Sequence, residues 1–215
     1  MKLLCFDCDS TLSEIEGVDE LAASRGEKVK EQIVDLTNQA MSGQIAIEDI
    51  FAKRLDLIQP TLELCAQVGQ LYIDRISSGA KELITELIAQ DWKVVIISGG
   101  FIQPIEPFAK HLGIEEIHAV PLHFNEDGSY KGFTASPTTR NGGKPEIIKE
   151  LKATYAPEFT VMVGDGVSDL ETQPLVDLFI GYGEFTPRER VLKEAQSFAY
   201  NFQDIRDILS DAVAS

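Results

Sequence analysis

Two aspartates separated by one residue close the first apolar run of the chain, in Phe6-Asp7-Cys8-Asp9-Ser10-Thr11-Leu12. Alternate residues of an extended backbone project to the same side, so Asp7 and Asp9 can face one pocket. Two carboxylates held together at an apolar strand end do not both ionise unopposed. Either one takes up a proton or a cation sits between them. The segment also allows a solvated turn in which Asp9 or Ser10 caps the next helix. A second acidic strand end follows in Val163-Gly164-Asp165-Gly166-Val167-Ser168-Asp169. Its glycines permit a tight turn and a close approach of backbone to a ligand. Asp165 is a natural oxygen ligand for Mg²⁺, which takes few carboxylates and keeps several waters. Asp169, one helical turn further on, is spaced to orient a neighbour from behind. As a plain polar loop, the same stretch would place Asp169 in the favourable first turn of a helix.

Two further segments suit an anion. Ile97-Ser98-Gly99-Gly100-Phe101 sets a hydroxyl before two glycines whose N–H groups can face a phosphate. An ordinary strand-to-helix turn has the same composition. In Asn141-Gly142-Gly143-Lys144-Pro145-Glu146, Pro145 suits the start of a helix. Lys144 then stands at the positive helix end, where a cation is disfavoured unless a negative charge meets it.

The elements that must position these residues are legible as apolar runs. Lys2 to Phe6, Val94 to Ser98, Val161 to Gly164 and Phe179 to Gly181 are continuous rather than alternating. Such runs predict strands of a parallel sheet covered on both faces. Stripes at Leu83, Ile84, Leu87 and Ile88, and at Ile147, Ile148 and Leu151, predict intervening helices. The fold class expected is therefore α/β, a doubly wound, mostly parallel sheet. In such a sheet ligands bind beyond the carboxyl ends of the strands, where Asp7, Asp9, Ser98 and Asp165 all fall. The stretch before Trp92 is far longer than one crossover needs. Its residues Ile47, Ile50, Phe51, Leu55 and Ile58 mark an amphipathic helix, and Thr61 after Pro60 caps another. The expected division is a catalytic core of residues 1–16 and 78–215 with a small helical cap, 17–77, inserted between. His118 to Phe133 reads as a β-hairpin turning at Asp127-Gly128.

Composition sets the outer limits. The 215 residues are 44% hydrophobic and 25% charged, ordinary for a globular protein. A formal charge of −16 argues against nucleic acid and anionic membranes as partners. It also means that a bound cation and a few local basic groups must reverse the field around any phosphate. No apolar run reaches the roughly 20 residues of a membrane span, and the opening MKLLCFDCDS turns acidic too early for a signal peptide. The location expected is cytoplasmic. Cys5, Cys8 and Cys65 form no even disulfide framework, and the spacing of Cys5 and Cys8 reads as two reduced, buried thiols.

The four chemical segments, in this order, resemble the haloacid dehalogenase superfamily of aspartate-nucleophile phosphatases, with its D-x-D-x-T, Ser or Thr, Lys and G-D-G-x-x-D pattern. Here these read Asp7, Asp9 and Thr11, then Ser98, Lys144, and Gly164 to Asp169. Within it, Glu16 to Ala22, Ala40 to Gly43, Lys53 to Pro60, Ser98 to Phe101 and Gly142 to Lys144 are similar to the phosphoserine phosphatase group. Ile47 and Ser168 depart from residues common in that group. The resemblance implies an Mg²⁺-dependent hydrolase of the small molecule O-phosphoserine, active as a monomer or homodimer and completing serine biosynthesis. It implies Asp7 as nucleophile, Asp9 as acid and base, and metal held by Asp7, Asp9 and Asp165, with Asp169 behind them. Ser98, Gly99, Gly100, Lys144 and Ser168 would hold phosphate, while Glu16, Arg54 and Met41 meet the ammonium, the carboxylate and the pocket wall. The same chemistry on another phosphomonoester or a phosphoprotein is one rival. A receiver-like signalling domain is the other, and Asp9 with the inserted helices argues for turnover instead.

Overall fold

A computed structural model describes residues 1–41 and 47–214, with side chains described outside 37–49 and 214. The chain opens with β1 (Lys2–Phe6) and then runs through α1 (Gly17–Ala23), α2 (Glu27–Met41), α3 (Ile47–Ile58), α4 (Leu62–Asp74) and α5 (Ala80–Ala89). There follow β2 (Trp92–Phe101), α6 (Ile102–Leu112), β3 (Glu116–Val120), and a hairpin of β4 (Leu122–Phe124) and β5 (Tyr130–Phe133). The remainder is α7 (Gly143–Tyr155), β6 (Phe159–Gly164), α8 (Val167–Leu170), β7 (Leu178–Tyr182), α9 (Glu189–Glu194), β8 (Ser197–Ala199) and α10 (Phe202–Ala214).

Six strands form one sheet in the order β3-β2-β1-β6-β7-β8, every neighbouring pair parallel. The continuous apolar runs are explained by two cores. Leu4 and Phe6 join Val94, Ile96, Val161 and Val163 on one face. Leu3 and Cys5 join Val95, Ile97 and Met162 on the other, beneath Ile147, Ile148 and Leu151 of α7. The four strands expected from the sequence occupy the middle of the sheet. Its edges, β3 and β8, lack continuous apolar runs. His118 to Val120 belong to β3, so the hairpin is shorter than expected and starts at Leu122. Its turn uses Gly128 at φ +78, with Gly128 N–H donating to the Asn125 carbonyl.

Of the helices between β1 and β2, α3 and α4 reach residues at the carboxyl ends of the strands. Phe51 of α3 packs against Phe101 and Phe133, at ring distances of 5.8 and 5.3 Å. Thr61 caps α4 by accepting from Leu64 N–H at 3.2 Å. Leu62 N–H donates to the Gly128 carbonyl at 3.0 Å, tying α4 to the hairpin. Helix α4 lies hard against α6: the Tyr72 and Phe108 rings stack at 5.5 Å, and Gly69 lets the backbones meet. A Cβ at Gly69 would stand 2.8 Å from Pro107 Cγ and 3.0 Å from the Pro104 carbonyl oxygen. Gly69→Ala should therefore destabilise the fold by about 1–3 kcal/mol through overpacking. A melting curve superimposable on that of the parent chain would show that α4 does not need this close approach.

Candidate active site

The centre of the site is a buried triad of charge. Asp7 directly follows β1, with its N–H still bonded to the Val163 carbonyl of β6 at 2.9 Å. Lys144, 6% exposed, reaches in from the first turn of α7, its Nζ 3.0 Å from Asp7 Oδ1 and 2.6 Å from Asp169 Oδ1. The chain delivers it there by a forced approach. Gly142 takes φ +73 before the helix, and a Cβ at Gly143 would fall 1.7 Å from the Pro137 carbonyl oxygen. Burial favours a neutral lysine, but Asp169 and Asp7 outweigh it and hold Lys144 above its ordinary value. The cation at the positive helix end is thus compensated by two carboxylates. Asp169 also accepts from Gly166 N–H at 2.9 Å. A Cβ at Gly164 would stand 2.2 Å from Asp169 Cγ, so only glycine admits that carboxylate.

Asp165, at the end of β6, completes an acidic group. One oxygen each from Asp7, Asp165 and Asp169 lies within 4.8 Å of the others. An all-oxygen carboxylate set of this size suits a hard divalent cation. Asp169 gives one oxygen to Lys144 and the other to Gly166 N–H, whereas Asp7 meets Lys144 and Asp165 meets Arg188 through one oxygen each, which leaves their second oxygens for a cation. Arg188, in the loop after β7, donates from Nε to Asp165 Oδ2 at 2.9 Å. Burial and then Asp7 push the Asp165 carboxyl upward, and Arg188 opposes them.

Asp9 lies outside that group. Its Oδ1 accepts from Gly17 N–H at 3.0 Å and from the Tyr72 hydroxyl. Burial, reinforced by Asp7, raises it to about 7, against the pull of the Tyr72 and Gly17 hydrogen bonds. Beside it, the buried Ser98 Oγ accepts from Gly100 N–H at 2.9 Å. A Cβ at Gly100 would lie 3.2 Å from Asp9 Oδ2 and 3.1 Å from Ser98 Oγ. Gly99 beside it is exposed, and β2 runs on through both glycines to Phe101 instead of turning after Ser98 as expected. Thr11 is fully buried, and its Oγ1 has no hydrogen-bond partner among the described residues.

The helical side contributes unevenly. Glu16 precedes α1, accepts from Ser10 Oγ at 2.6 Å and lies 4.0 Å from Arg188 Nη2. Its side chain keeps 44% exposure, and partial burial with Asp9 moves its carboxyl upward. Arg54 on α3 is partly buried with Asp19 as its charged neighbour. Its Nε has no hydrogen-bond partner among the described residues, and no ion pair joins it to the strand-end carboxylates. Ser168 is exposed on α8. The side chains of Met41 and Ile47 lie outside the described residues. The structure therefore gathers Asp7, Asp9, Glu16, Asp165, Asp169 and Lys144, with Ser98 and Gly100 alongside. Arg188, Tyr72 and Ser10 were not anticipated. A search for basic residues beyond the remaining strand ends would have found Arg188. Tyr72 carries no such signal, because its helical phase says only that it is buried. Cys5 and Cys8 are free, buried thiols.

An Asp9 that holds its proton to about pH 7 when folded, but only to about 4 when unfolded, stabilises the protein below pH 4 relative to above pH 7. Between those values the folded state binds more protons, so stability falls as pH rises. In EDTA, the difference in melting temperature between the parent chain and Asp9→Asn should shift against the parent from pH 5 to 8. A constant difference would contradict the placement of Asp9.

Residues 1–172 match the family model of the haloacid dehalogenase-like hydrolases. The phosphoserine phosphatase of Bos taurus is 36% identical over 211 residues, 97% of this chain and 93% of the bovine protein. Among solved structures, a phosphoserine phosphohydrolase-like protein from Francisella tularensis superposes with a TM-score of 0.83 at 28% identity, covering 97% of this chain and 99% of that one. A phospho-aspartyl intermediate analogue of phosphoserine phosphatase superposes at 0.78 with 27% identity, covering 97% of each chain. With the sequence kinship and the site geometry pointing the same way, this chain belongs to the haloacid dehalogenase-like hydrolases and, within them, to the phosphoserine phosphatase family.

Proposed function

We propose that this chain hydrolyses O-phosphoserine to serine and phosphate through an aspartyl-phosphate on Asp7, with Mg²⁺ as its metal. The observation that carries the reading is Asp7 Oδ1 held 3.0 Å from a buried Lys144, beside Asp165 and within reach of Asp9. One carboxylate is thus presented to an anion, and a second nearby carboxyl keeps a proton near neutral pH. Kinship with the bovine enzyme over nearly the whole chain supports phosphoserine as the ester.

The steps follow from the groups present. Asp7 attacks phosphorus and forms an acyl phosphate, which divides hydrolysis into two easier displacements. As the P–O bond to serine breaks, Asp9 passes its proton to the departing oxygen. Asp9 then takes a proton from the water that attacks the acyl phosphate, releasing phosphate and restoring both carboxyls. A carboxyl titrating near 7 suits both directions of transfer. Lys144, the Ser98 hydroxyl and the backbone N–H of Gly99 stabilise charge on the transferring phosphoryl group, while Gly100 N–H, donating to Ser98 Oγ, orients that hydroxyl. Asp7 and Asp165, with the Asp9 backbone carbonyl, would hold Mg²⁺, whose charge would offset the repulsion between a carboxylate nucleophile and an anionic ester. Ser168 adds a hydroxyl near the phosphate.

Residues 17–77 act as the cap over this site and exclude bulk water during turnover. Glu16, the last core residue before the cap, meets the substrate ammonium, and Arg54 on the cap grips the carboxylate, with Met41 on the pocket wall. The buried Nε of Arg54, without a hydrogen-bond partner among the described residues, supports that assignment, since such a donor is costly without an acceptor.

Asp7→Asn should lower phosphoserine turnover by at least about a thousandfold, as loss of a nucleophile does, with its circular dichroism unchanged. Turnover near the parent rate would reject covalent catalysis. Chelation with EDTA should abolish phosphate release and added Mg²⁺ restore it. Full activity in EDTA would remove the metal from the reaction. Arg54→Ala should cost phosphoserine about a hundredfold in kcat/KM, the scale of a lost buried charge pair. Phosphoethanolamine, which lacks the carboxylate, should change little. Equal losses on the two esters would take Arg54 out of substrate recognition.

A further inference from the structure

The bond between the Tyr72 hydroxyl and Asp9 Oδ1 crosses from α4 to the end of β1 and joins residues 63 positions apart. Tyr72 is fully buried, and its ring is clamped by the Phe108 stack at 5.5 Å and an interplanar angle of 15°. The hydroxyl occupies the space that a side chain at position 17 would need. A Cβ on Gly17 would stand 2.1 Å from that oxygen. Gly17 gives its N–H to the same Asp9 Oδ1 at 3.0 Å. One carboxyl oxygen is therefore occupied by two donors from two elements outside the strand. The other, Oδ2, is left on the side of Gly100 and Ser98, 3.2 Å from where a Gly100 Cβ would lie.

We infer that Tyr72 is a positioning residue for proton transfer: it fixes Asp9 Oδ1 so that Oδ2 alone carries the proton to and from the leaving oxygen. The inference rests on the phosphatase reading above and deepens it. In the first step the proton leaves Asp9 Oδ2 for the ester oxygen as the P–O bond breaks. The negative charge left on the carboxylate is met at Oδ1 by the two donors already in place. The Tyr72 phenol keeps its own proton throughout. Without that hydroxyl, the carboxyl can turn or carry its proton on Oδ1, where it cannot reach the ester.

The consequence is selective. A serine alkoxide is a poor leaving group and needs the proton, whereas acetate or p-nitrophenolate does not. Tyr72→Phe keeps the ring stack and removes only the donor. With Mg²⁺ present, its kcat/KM for phosphoserine should fall about 10–100-fold with KM within about twofold, part of the 10²–10⁴-fold that general acid catalysis supplies. On acetyl phosphate or p-nitrophenyl phosphate, whichever the parent chain accepts, kcat/KM should stay within about threefold. Equal losses on the two kinds of ester, or no loss on phosphoserine, would overturn the inference and reduce Tyr72 to a core residue. Hydrolysis of the activated ester but not phosphoserine by the parent chain would instead reject the substrate reading, and the inference with it. Gly17→Ala tests the same bond from the other side, because its Cβ displaces the hydroxyl. If Tyr72→Phe does not fold, the leaving-group selectivity of Gly17→Ala decides the matter, and equal losses there overturn the inference too.

Discussion

Five carboxylates, from Asp7, Asp9, Glu16, Asp165 and Asp169, converge where the strands end, and among the described residues only Lys144 and Arg188 pair with them. That imbalance of buried charge is the constraint on which the remaining structure depends. A chain carrying −16 overall offers no general positive field to relieve it. The protein answers in three ways: a lysine driven into the triad, a proton retained on Asp9, and an oxygen-lined position fit for a divalent cation. Each of these is also a requirement for attacking a phosphate, since a nucleophilic carboxylate and a phosphoryl group repel one another until positive charge intervenes.

The backbone serves that arrangement at identifiable points. Gly143 must come within contact of Pro137 for Lys144 to reach Asp7, and Gly164 must lack a side chain for Asp169 to lie beneath it. The parallel sheet brings Asp7 and Asp165 together because β1 and β6 are neighbours in register, Phe6 beside Val163. Stability is spent at these places on buried, paired charge rather than on apolar packing, which fits a site held for chemistry.

Much of this was legible from residue types alone. Continuous apolar runs revealed the four central strands because a strand buried on both faces cannot alternate. The acidic and glycine-rich strand ends marked the site because ligands bind there in open sheets. Strand β3 was misread as part of the hairpin because Glu116-Ile117-His118-Ala119-Val120 mixes charge with apolar residues, as an edge strand can. Arg188 lies beyond a strand end, where a search for basic residues would have found it, whereas Tyr72 escaped notice because its partner is set by tertiary packing. Tyr72 approaches Asp9 only because Gly69 allows α4 to settle on α6, and no local pattern encodes such a contact.

The central claim is that Asp7 becomes phosphorylated during turnover, and trapping that species tests it most directly. Phosphoserine mixed with the enzyme and Mg²⁺, quenched in acid within milliseconds and digested with pepsin, should yield a peptide containing Asp7 with one phosphoryl group on that residue. A phosphoryl group on any other side chain, or phosphate release with no labelled peptide at any quench time, would contradict the account.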